Sequence, residues 1–170
     1  THYNLFQKEF ILIDTAGLRR KTKVHEDLEF YSVIRAIKAV DEADVCLLLI
    51  DAEKGLTAQD LNIYSLATRK GKAILVLVNK WDLVKKETNT ARDYEADLRK
   101  RLAPFNDVPI IFISALEKTR IFKAIEIALD VYENRKRKIP TSKLNDVMLK
   151  AVEAYHAPVV RGHAVKIKFV

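Results

Sequence analysis

Cysteine, glycine and long apolar runs are all scarce in this sequence. Its 170 residues include one cysteine and four glycines. The single cysteine, Cys46, lies inside an apolar run, where we interpret it as a small core residue rather than a reactive thiol. Such sparse cysteine, with no signal-peptide pattern at the start, indicates a cytoplasmic protein. No apolar run reaches the roughly 20 residues that a membrane-spanning helix needs, so we expect no membrane partner.

The scarcity of glycine also excludes one common phosphate-binding loop. A Gly-x-x-x-x-Gly-Lys-Ser/Thr motif surrounds nucleotide phosphates with backbone N–H groups, and its lysine reaches the outer phosphates. None of the four glycines here stands in such a motif. We therefore expect this chain, as it stands, to bind nucleotide poorly, and we interpret it as a fragment.

Apolar runs alternate with segments of helical spacing along most of the chain, and 49% of its residues are hydrophobic. This alternation predicts an α/β fold in which a mostly parallel sheet carries helices on both faces. The expected elements are a hairpin at 3–13, strands at 45–51, 73–78 and 109–113, and helices at 29–42, 57–69, 90–103 and 120–135.

The stretch from 73 to 82 carries the most informative pattern. Six aliphatic residues predict a strand buried on both faces, and polar residues Asn79, Lys80 and Asp82 follow it directly. Ligands of open α/β sheets bind beyond the carboxyl ends of the strands. Asp82 can accept two parallel hydrogen bonds from a planar N–H pair, and the stem of Lys80 can lie along an aromatic ring. These two groups together suit a guanine base.

Two further apolar strands end in short polar motifs. Phe10-Ile-Leu-Ile-Asp-Thr-Ala-Gly17 ends in Asp-x-x-Gly, with Asp14 and Gly17 as its fixed residues, and Pro109-Ile-Ile-Phe-Ile-Ser-Ala-Leu116 ends in Ser114 and Ala115. Because carboxyl ends of parallel strands meet at one edge, we expect Asp14, Asp51, Asn79 and Ser114 to line that edge. No motif assigns Asp51 a ligand, so we interpret it as a loop or cap residue that follows its strand.

These motifs, in this order, resemble those of GTP-binding proteins. The run from Asp14 to Lys23, together with Asn-Lys-Trp-Asp82, is similar to the second GTPase domain of the Der (EngA) family. The resemblance covers essentially the whole chain and implies a P-loop GTPase-type sheet. It also implies a GTP-hydrolysing switch in assembly of the large (50S) ribosomal subunit, so the expected partners are that subunit and its rRNA rather than DNA. The phosphate loop and switch I would then be missing from this chain.

The same resemblance assigns roles to individual residues. Asp14 would hold Mg²⁺ through a water molecule, and the Gly17 amide would sense the γ-phosphate of GTP. Asn79, Lys80 and Asp82 would bind the guanine, and Ser114 and Ala115 would form the loop that touches its carbonyl. Leu18 stands where Ras-like enzymes carry a glutamine, and its aliphatic side chain cannot orient water. No catalytic residue is therefore assigned, and the family resemblance implies stimulation by K⁺.

A composition break at Ile139-Pro140 predicts a domain boundary. Residues 1–138 would form the GTPase domain, and residues 139–170 resemble the start of the KH-like domain of the Der family. Thr141 or Ser142 can cap a helix that reaches about Tyr155. The alternating residues 165–170 predict a half-buried strand.

Positive charge offers two alternatives to a GTPase. The net charge is +7, and basic residues cluster at 19–23, 135–138 and 161–168. These runs are typical of a polyanion-binding surface, although each alone is equally consistent with solvated surface. The chain could be a non-enzymatic RNA-binding module, but its tail lacks the Gly-x-x-Gly clamp of RNA-binding KH domains. It could also be a degenerate GTPase fold that serves as an interaction platform.

Overall fold

The computed structural model describes residues 1–14, 37–85, 87–155, 159–160 and 163–164. It divides into two compact units, Thr1–Arg135 and Lys136–Val170. Within the described part of the chain, no helix is long and apolar enough to cross a membrane.

The first unit opens with an antiparallel hairpin. Strand β1 (His2–Leu5) pairs with strand β2 (Lys8–Ile11), and both residues of the turn between them, Phe6 and Gln7, have positive φ angles. The two-residue turn matches the right-handed twist of paired strands, which is why this connection type is common in hairpins. The predicted hairpin is therefore confirmed.

A three-stranded parallel sheet forms the centre of the first unit. Its strands are β3 (Val45–Asp51), β4 (Ala73–Asn79) and β5 (Ile110–Phe112), in the order β3-β4-β5. The register pairs Asp51 with Asn79, so these two strands end side by side. The mostly parallel sheet predicted from the apolar runs is confirmed.

Helices connect the strands. Residues 37–42 are helical (α1), and the further helices of this unit are α2 (Ala58–Arg69), α3 (Thr90–Leu102) and α4 (Ile121–Lys136). Helix α2 begins with a capping box in which the Thr57 hydroxyl accepts from the Asp60 N–H and the Asp60 carboxylate accepts from the Thr57 N–H. This reciprocal pair satisfies N–H groups that the first turn leaves free.

The alternation along β4 separates the core into two clusters. Ile74, Val76 and Val78 face one side of the sheet, where side chains of α2 and α3, including Leu98, pack on them. Leu75 and Leu77 face the other side and pack with Ala124 of α4 and its neighbours. Every residue from Ala73 to Val78 is buried, which confirms a strand covered on both faces.

Strand β3 differs from the sequence prediction of a fully buried strand. Leu48 and Ile50 enter the core, but the side chains of Leu47 and Leu49 are 41% and 55% exposed. Their register partners on β4 are buried against α4. Helix α4 packs over β4 and β5, whereas β3 lies at the edge of the described sheet. The face of the sheet that α4 covers is therefore buried at β4 and β5 but exposed at β3.

Cys46 packs against the first core cluster and is half-buried, as a core role predicts. Desolvation by this burial raises the pKa of its thiol, although the positive charges of Lys72 and Arg135 act in the opposite direction. A raised pKa keeps the thiol protonated and poorly nucleophilic at neutral pH.

The second unit contains helix α5 (Thr141–Ala154) and a two-stranded antiparallel pair of β6 (Val159–Val160) and β7 (His163–Ala164). The helix predicted after the Pro140 break is present. Its cap differs from the prediction, because Pro140 occupies the N-cap position and no side chain caps the helix there. Proline fixes φ and limits the preceding backbone, so it can begin a helix without a side-chain cap. The strand predicted at 165–170 lies outside the described residues.

Candidate functional site

Three predicted polar residues come together at the carboxyl ends of the parallel strands. Asp51 and Asn79 are register partners, and the Ala52 N–H donates to the Asn79 carbonyl at 2.9 Å. On the other side of β4, the Ile113 N–H donates to the Val78 carbonyl at 2.8 Å, which brings Ser114 beside the end of the strand. The ladder hydrogen bonds of three strands therefore hold one polar edge in register.

Asn79 links this edge to the loop that follows β5. Its side-chain oxygen accepts a hydrogen bond from the Ala115 N–H at 3.0 Å. The loop is closed by a backbone bridge between Ser114 and Thr119, and the buried Ser114 hydroxyl accepts from the Glu117 N–H at 3.1 Å. These contacts leave the loop with few conformations, so its backbone can be presented to a ligand without much further ordering.

Lys80 reaches across the strand ends to Asp51. Its ammonium Nζ lies 2.7 Å from the Asp51 Oδ2, and the Asp51 side chain is only 6% exposed. The hydrogen bond from Lys80 lowers the pKa of Asp51, and the smaller effect of desolvation opposes it. The sequence pattern predicts Asp51 to be a loop or cap residue. It does accept from the Glu53 N–H at 3.1 Å, but its other oxygen holds Lys80.

Trp81, which stands between Lys80 and Asp82 in the sequence, packs against two aromatic rings. Its ring packs 4.3 Å from the ring of Phe112 on β5 and 5.4 Å, edge to face, from Tyr94 on α3. The Tyr94 hydroxyl donates to the Ala52 carbonyl at 3.1 Å. Since aromatic side chains bury large areas, this cluster fixes the backbone from which Lys80 and Asp82 project. The sequence pattern assigned no role to Trp81.

Asp82 carries an unusual buried oxygen. Its Oδ1 is shielded from solvent and has no hydrogen-bond partner among the described residues. A buried carboxylate oxygen without a donor is energetically unfavourable. The Asp82 carboxylate can accept hydrogen bonds at both of its oxygens.

Asp14 is exposed and follows β2, which forms a separate sheet with β1 in the described part of the chain. The expectation that four strand-end residues share one edge is confirmed for Asp51, Asn79 and Ser114, and for Asp14 it stays a prediction. Gly17 and Leu18 lie outside the described residues.

No group of three or more metal-ligating side chains occurs in the described part of the chain. Asp14, to which the motif assigns Mg²⁺, is an exposed carboxylate.

One of the basic runs has a structural use. The Arg135 guanidinium donates to the Gly71 carbonyl at 3.0 Å and to the Asp44 carboxylate at 3.1 Å. These contacts tie the end of α4 to the loops that precede β3 and β4. Arg135 is therefore occupied within the first unit, whereas Arg137 and Lys138 of the same run are exposed.

The chain is similar to known GTP-binding proteins along nearly its whole length. It is 55% identical over 169 residues to GTPase Der of Flavobacterium johnsoniae, covering 99% of this chain and 39% of that protein. It is 53% identical over 171 residues to GTPase Der of Bacteroides fragilis, covering 100% of this chain and again 39% of the relative. The chain thus spans about two fifths of the length of these relatives.

Solved structures show the same fold. Era in complex with MgGDPNP and nucleotides 1506–1542 of 16S ribosomal RNA matches with a TM-score of 0.65 and 25% identity, over 76% of this chain and 42% of that chain. Translation elongation factor SelB from Methanococcus maripaludis, in its apo form, matches with a TM-score of 0.63 and 18% identity, over 82% of this chain and 28% of that chain. The family model of the elongation factor Tu GTP-binding domain matches residues 2–155. The chain therefore belongs to the elongation factor Tu GTP-binding domain family, and within it resembles GTPase Der.

Proposed function

We propose that this chain is the base-recognition part of a GTPase and that the intact protein hydrolyses GTP to GDP and phosphate. The observation that carries the proposal is that Asn79, Lys80 and Asp82 follow the end of β4, where the Asn79 side chain holds the Ala115 loop and Lys80 is held by Asp51. A guanine ring would give the Asp82 carboxylate N–H donors and would offer the Lys80 stem an aromatic face. The Ala115 loop, tethered to Asn79, would lie at the carbonyl side of the base.

We also propose the assignments that the resemblance to the Der family implies. Residues 1–138 would belong to the second GTPase domain of a Der-like protein, and residues 139–170 would begin its KH-like domain. Asp14 would hold Mg²⁺ through water, and the Gly17 amide would sense the γ-phosphate. With Leu18 in place of a glutamine, a bound K⁺ would assist hydrolysis. Mg²⁺, when bound, would neutralise charge on the phosphates.

The test of guanine recognition is a change of base preference. In the full-length protein that carries this chain, Asp82→Asn should weaken GDP binding and improve binding of xanthosine diphosphate, because the amide can donate where the carboxylate only accepted. Asp107→Asn, which makes the same chemical change at an exposed carboxylate before the amino end of β5, is the control. An unchanged preference in Asp82→Asn would overturn the proposal.

We further propose that the intact protein acts in assembly of the large (50S) ribosomal subunit. The support is the similarity to GTPase Der and the exposed Arg137 and Lys138. Binding to rRNA would release counterions, so association with 50S subunits should weaken steeply with salt. Neutralising Arg137 and Lys138 together should lower the salt slope of sedimentation with 50S subunits. An unchanged slope would return these residues to ordinary surface. The protein would act in the cytoplasm, where ribosomes are assembled.

A further inference from the structure

We infer that Asp51 is a positioning residue for guanine recognition, which holds the Lys80 ammonium at the end of the sheet so that the lysine stem lies across the base. The inference rests on the proposed function and extends it to a residue outside the Asn-Lys-x-Asp motif. Asp51 belongs to β3, one strand away from the Asn-Lys-x-Asp segment that follows β4.

The two carboxylate oxygens of Asp51 accept hydrogen bonds from different groups. Oδ1 accepts from the Glu53 N–H at 3.1 Å, which is the contact expected of a turn residue. Oδ2 accepts from the Lys80 ammonium at 2.7 Å, a contact the turn does not require. A side chain that served the turn alone would leave its second oxygen to solvent, yet the Asp51 side chain is 6% exposed.

Lys80 has an unusual backbone conformation. Its φ angle is +62°, in the left-handed region that side-chain-bearing residues rarely occupy. Such a conformation is unfavourable and persists where surrounding contacts hold it. The Leu83 N–H donates to the Lys80 carbonyl, and the ion pair with Asp51 holds the other end of the residue. The lysine is therefore fixed at both its backbone and its ammonium.

Hydrogen bonds also hold the backbone around Asp51 in place. The next residue, Ala52, donates its N–H to the Asn79 carbonyl and accepts from the Tyr94 hydroxyl at its own carbonyl. The Asp51 carbonyl accepts from the Gly55 N–H at 2.9 Å. A carboxylate on this ordered backbone can hold the flexible side chain of Lys80 in one position. The lysine is then already ordered before a ligand binds.

The experiment is a double-mutant cycle on GDP affinity in the full-length protein that carries this chain, with a fluorescent GDP analogue as the probe. Asp51→Asn should weaken binding about three- to tenfold, since the pair with a half-exposed lysine is lost while the Glu53 contact is kept. In a Lys80→Met background the same change should have an effect below about twofold, because no ammonium remains to be positioned. An equal loss in both backgrounds would overturn the inference, since a merely structural role is additive.

Asp44→Asn is the matched control. It also removes a carboxylate that pairs with a cation, at the opposite end of β3, and should leave GDP affinity unchanged. Thermal unfolding without nucleotide reports on folding. Asp51→Ser is a second variant, whose hydroxyl can still accept from Glu53 but cannot reach Lys80.

The two proposals fail in different ways. If the unmodified protein binds GDP and Asp82→Asn changes the base preference, an unaffected Asp51→Asn variant overturns this inference alone. If the unmodified protein does not bind GDP, the proposed function and this inference both fall.

Discussion

The Asn79 side-chain oxygen accepts a hydrogen bond from the Ala115 N–H at 3.0 Å, across 36 positions of sequence. This contact joins the end of β4 to the loop after β5, so two motifs that are distant in the chain act as one surface. Ordering that loop in advance lowers the entropy that a ligand would otherwise have to overcome.

Replacing Asn79 should loosen the loop. Asn79→Ala removes the acceptor of the Ala115 N–H, and one hydrogen bond contributes about 0.5–1.5 kcal/mol, so amide exchange at Ala115 should accelerate by up to about tenfold. Hydrogen exchange followed by NMR measures this rate. The Glu117 amide, whose acceptor is the untouched Ser114 hydroxyl, is the internal reference. Unchanged exchange at Ala115 would mean that the contact does not order the loop.

Replacing Leu98 should destabilise the first unit. Leu98 of α3 is 1% exposed in the first core cluster, so Leu98→Ala should lower the free energy of unfolding by about 2–5 kcal/mol. Urea unfolding followed by circular dichroism measures it. Leu116→Ala makes the same chemical change at a side chain that is 86% exposed, and its effect should stay within about 0.5 kcal/mol. Equal effects of the two substitutions would contradict the assigned core.

The contribution of the Asp51–Lys80 pair to folding stability should fall at acid pH. The pKa of Asp51 is lowered in the folded state, chiefly by the hydrogen bond from Lys80. Its contribution to stability is therefore present above the ordinary aspartate pKa and is lost as the pH falls through the lowered value. The melting-temperature difference between the unmodified chain and Asp51→Asn should shrink when the pH falls from about 6 to about 3. A difference that does not vary with pH would count against the pair.

Arg135 should matter for folding more than for polyanion binding. Arg135→Gln removes the donors to Gly71 and Asp44, and should cost about 1–2 kcal/mol in chemical unfolding. Arg137→Gln, two positions on in the same basic run, should change stability by less than about 0.5 kcal/mol. If both substitutions had the same small effect, the contacts of Arg135 would carry no net stability.

Cys46 should react slowly with thiol reagents. Burial raises the pKa of its thiol, so the reactive thiolate is scarce near neutral pH. Labelling by a chromogenic disulfide at pH 8 should be much slower than in the same chain unfolded in urea, which serves as the control. Equal rates would show that the thiol is open to solvent.

Much of the fold follows from local patterns. The aliphatic run at β4, the Thr57–Asp60 capping box and the helical spacing of α3 and α4 each rest on neighbouring residues, so their elements are predictable. The recognition motif is local too, because Asn79, Lys80 and Asp82 follow one strand. Strand β3 shows where this reasoning stops, since Leu47 and Leu49 are as apolar as their buried register partners and still remain exposed.

The sequence by itself determined which residues form the strands and which polar groups follow them, because side-chain periodicity and turn chemistry act over a few residues. Tertiary structure alone decided that Asp51 meets Lys80 and that Trp81 packs against Phe112 and Tyr94. Those contacts join different strands and helices. They depend on register and packing across the sheet, and the chemistry of a single segment does not contain that information.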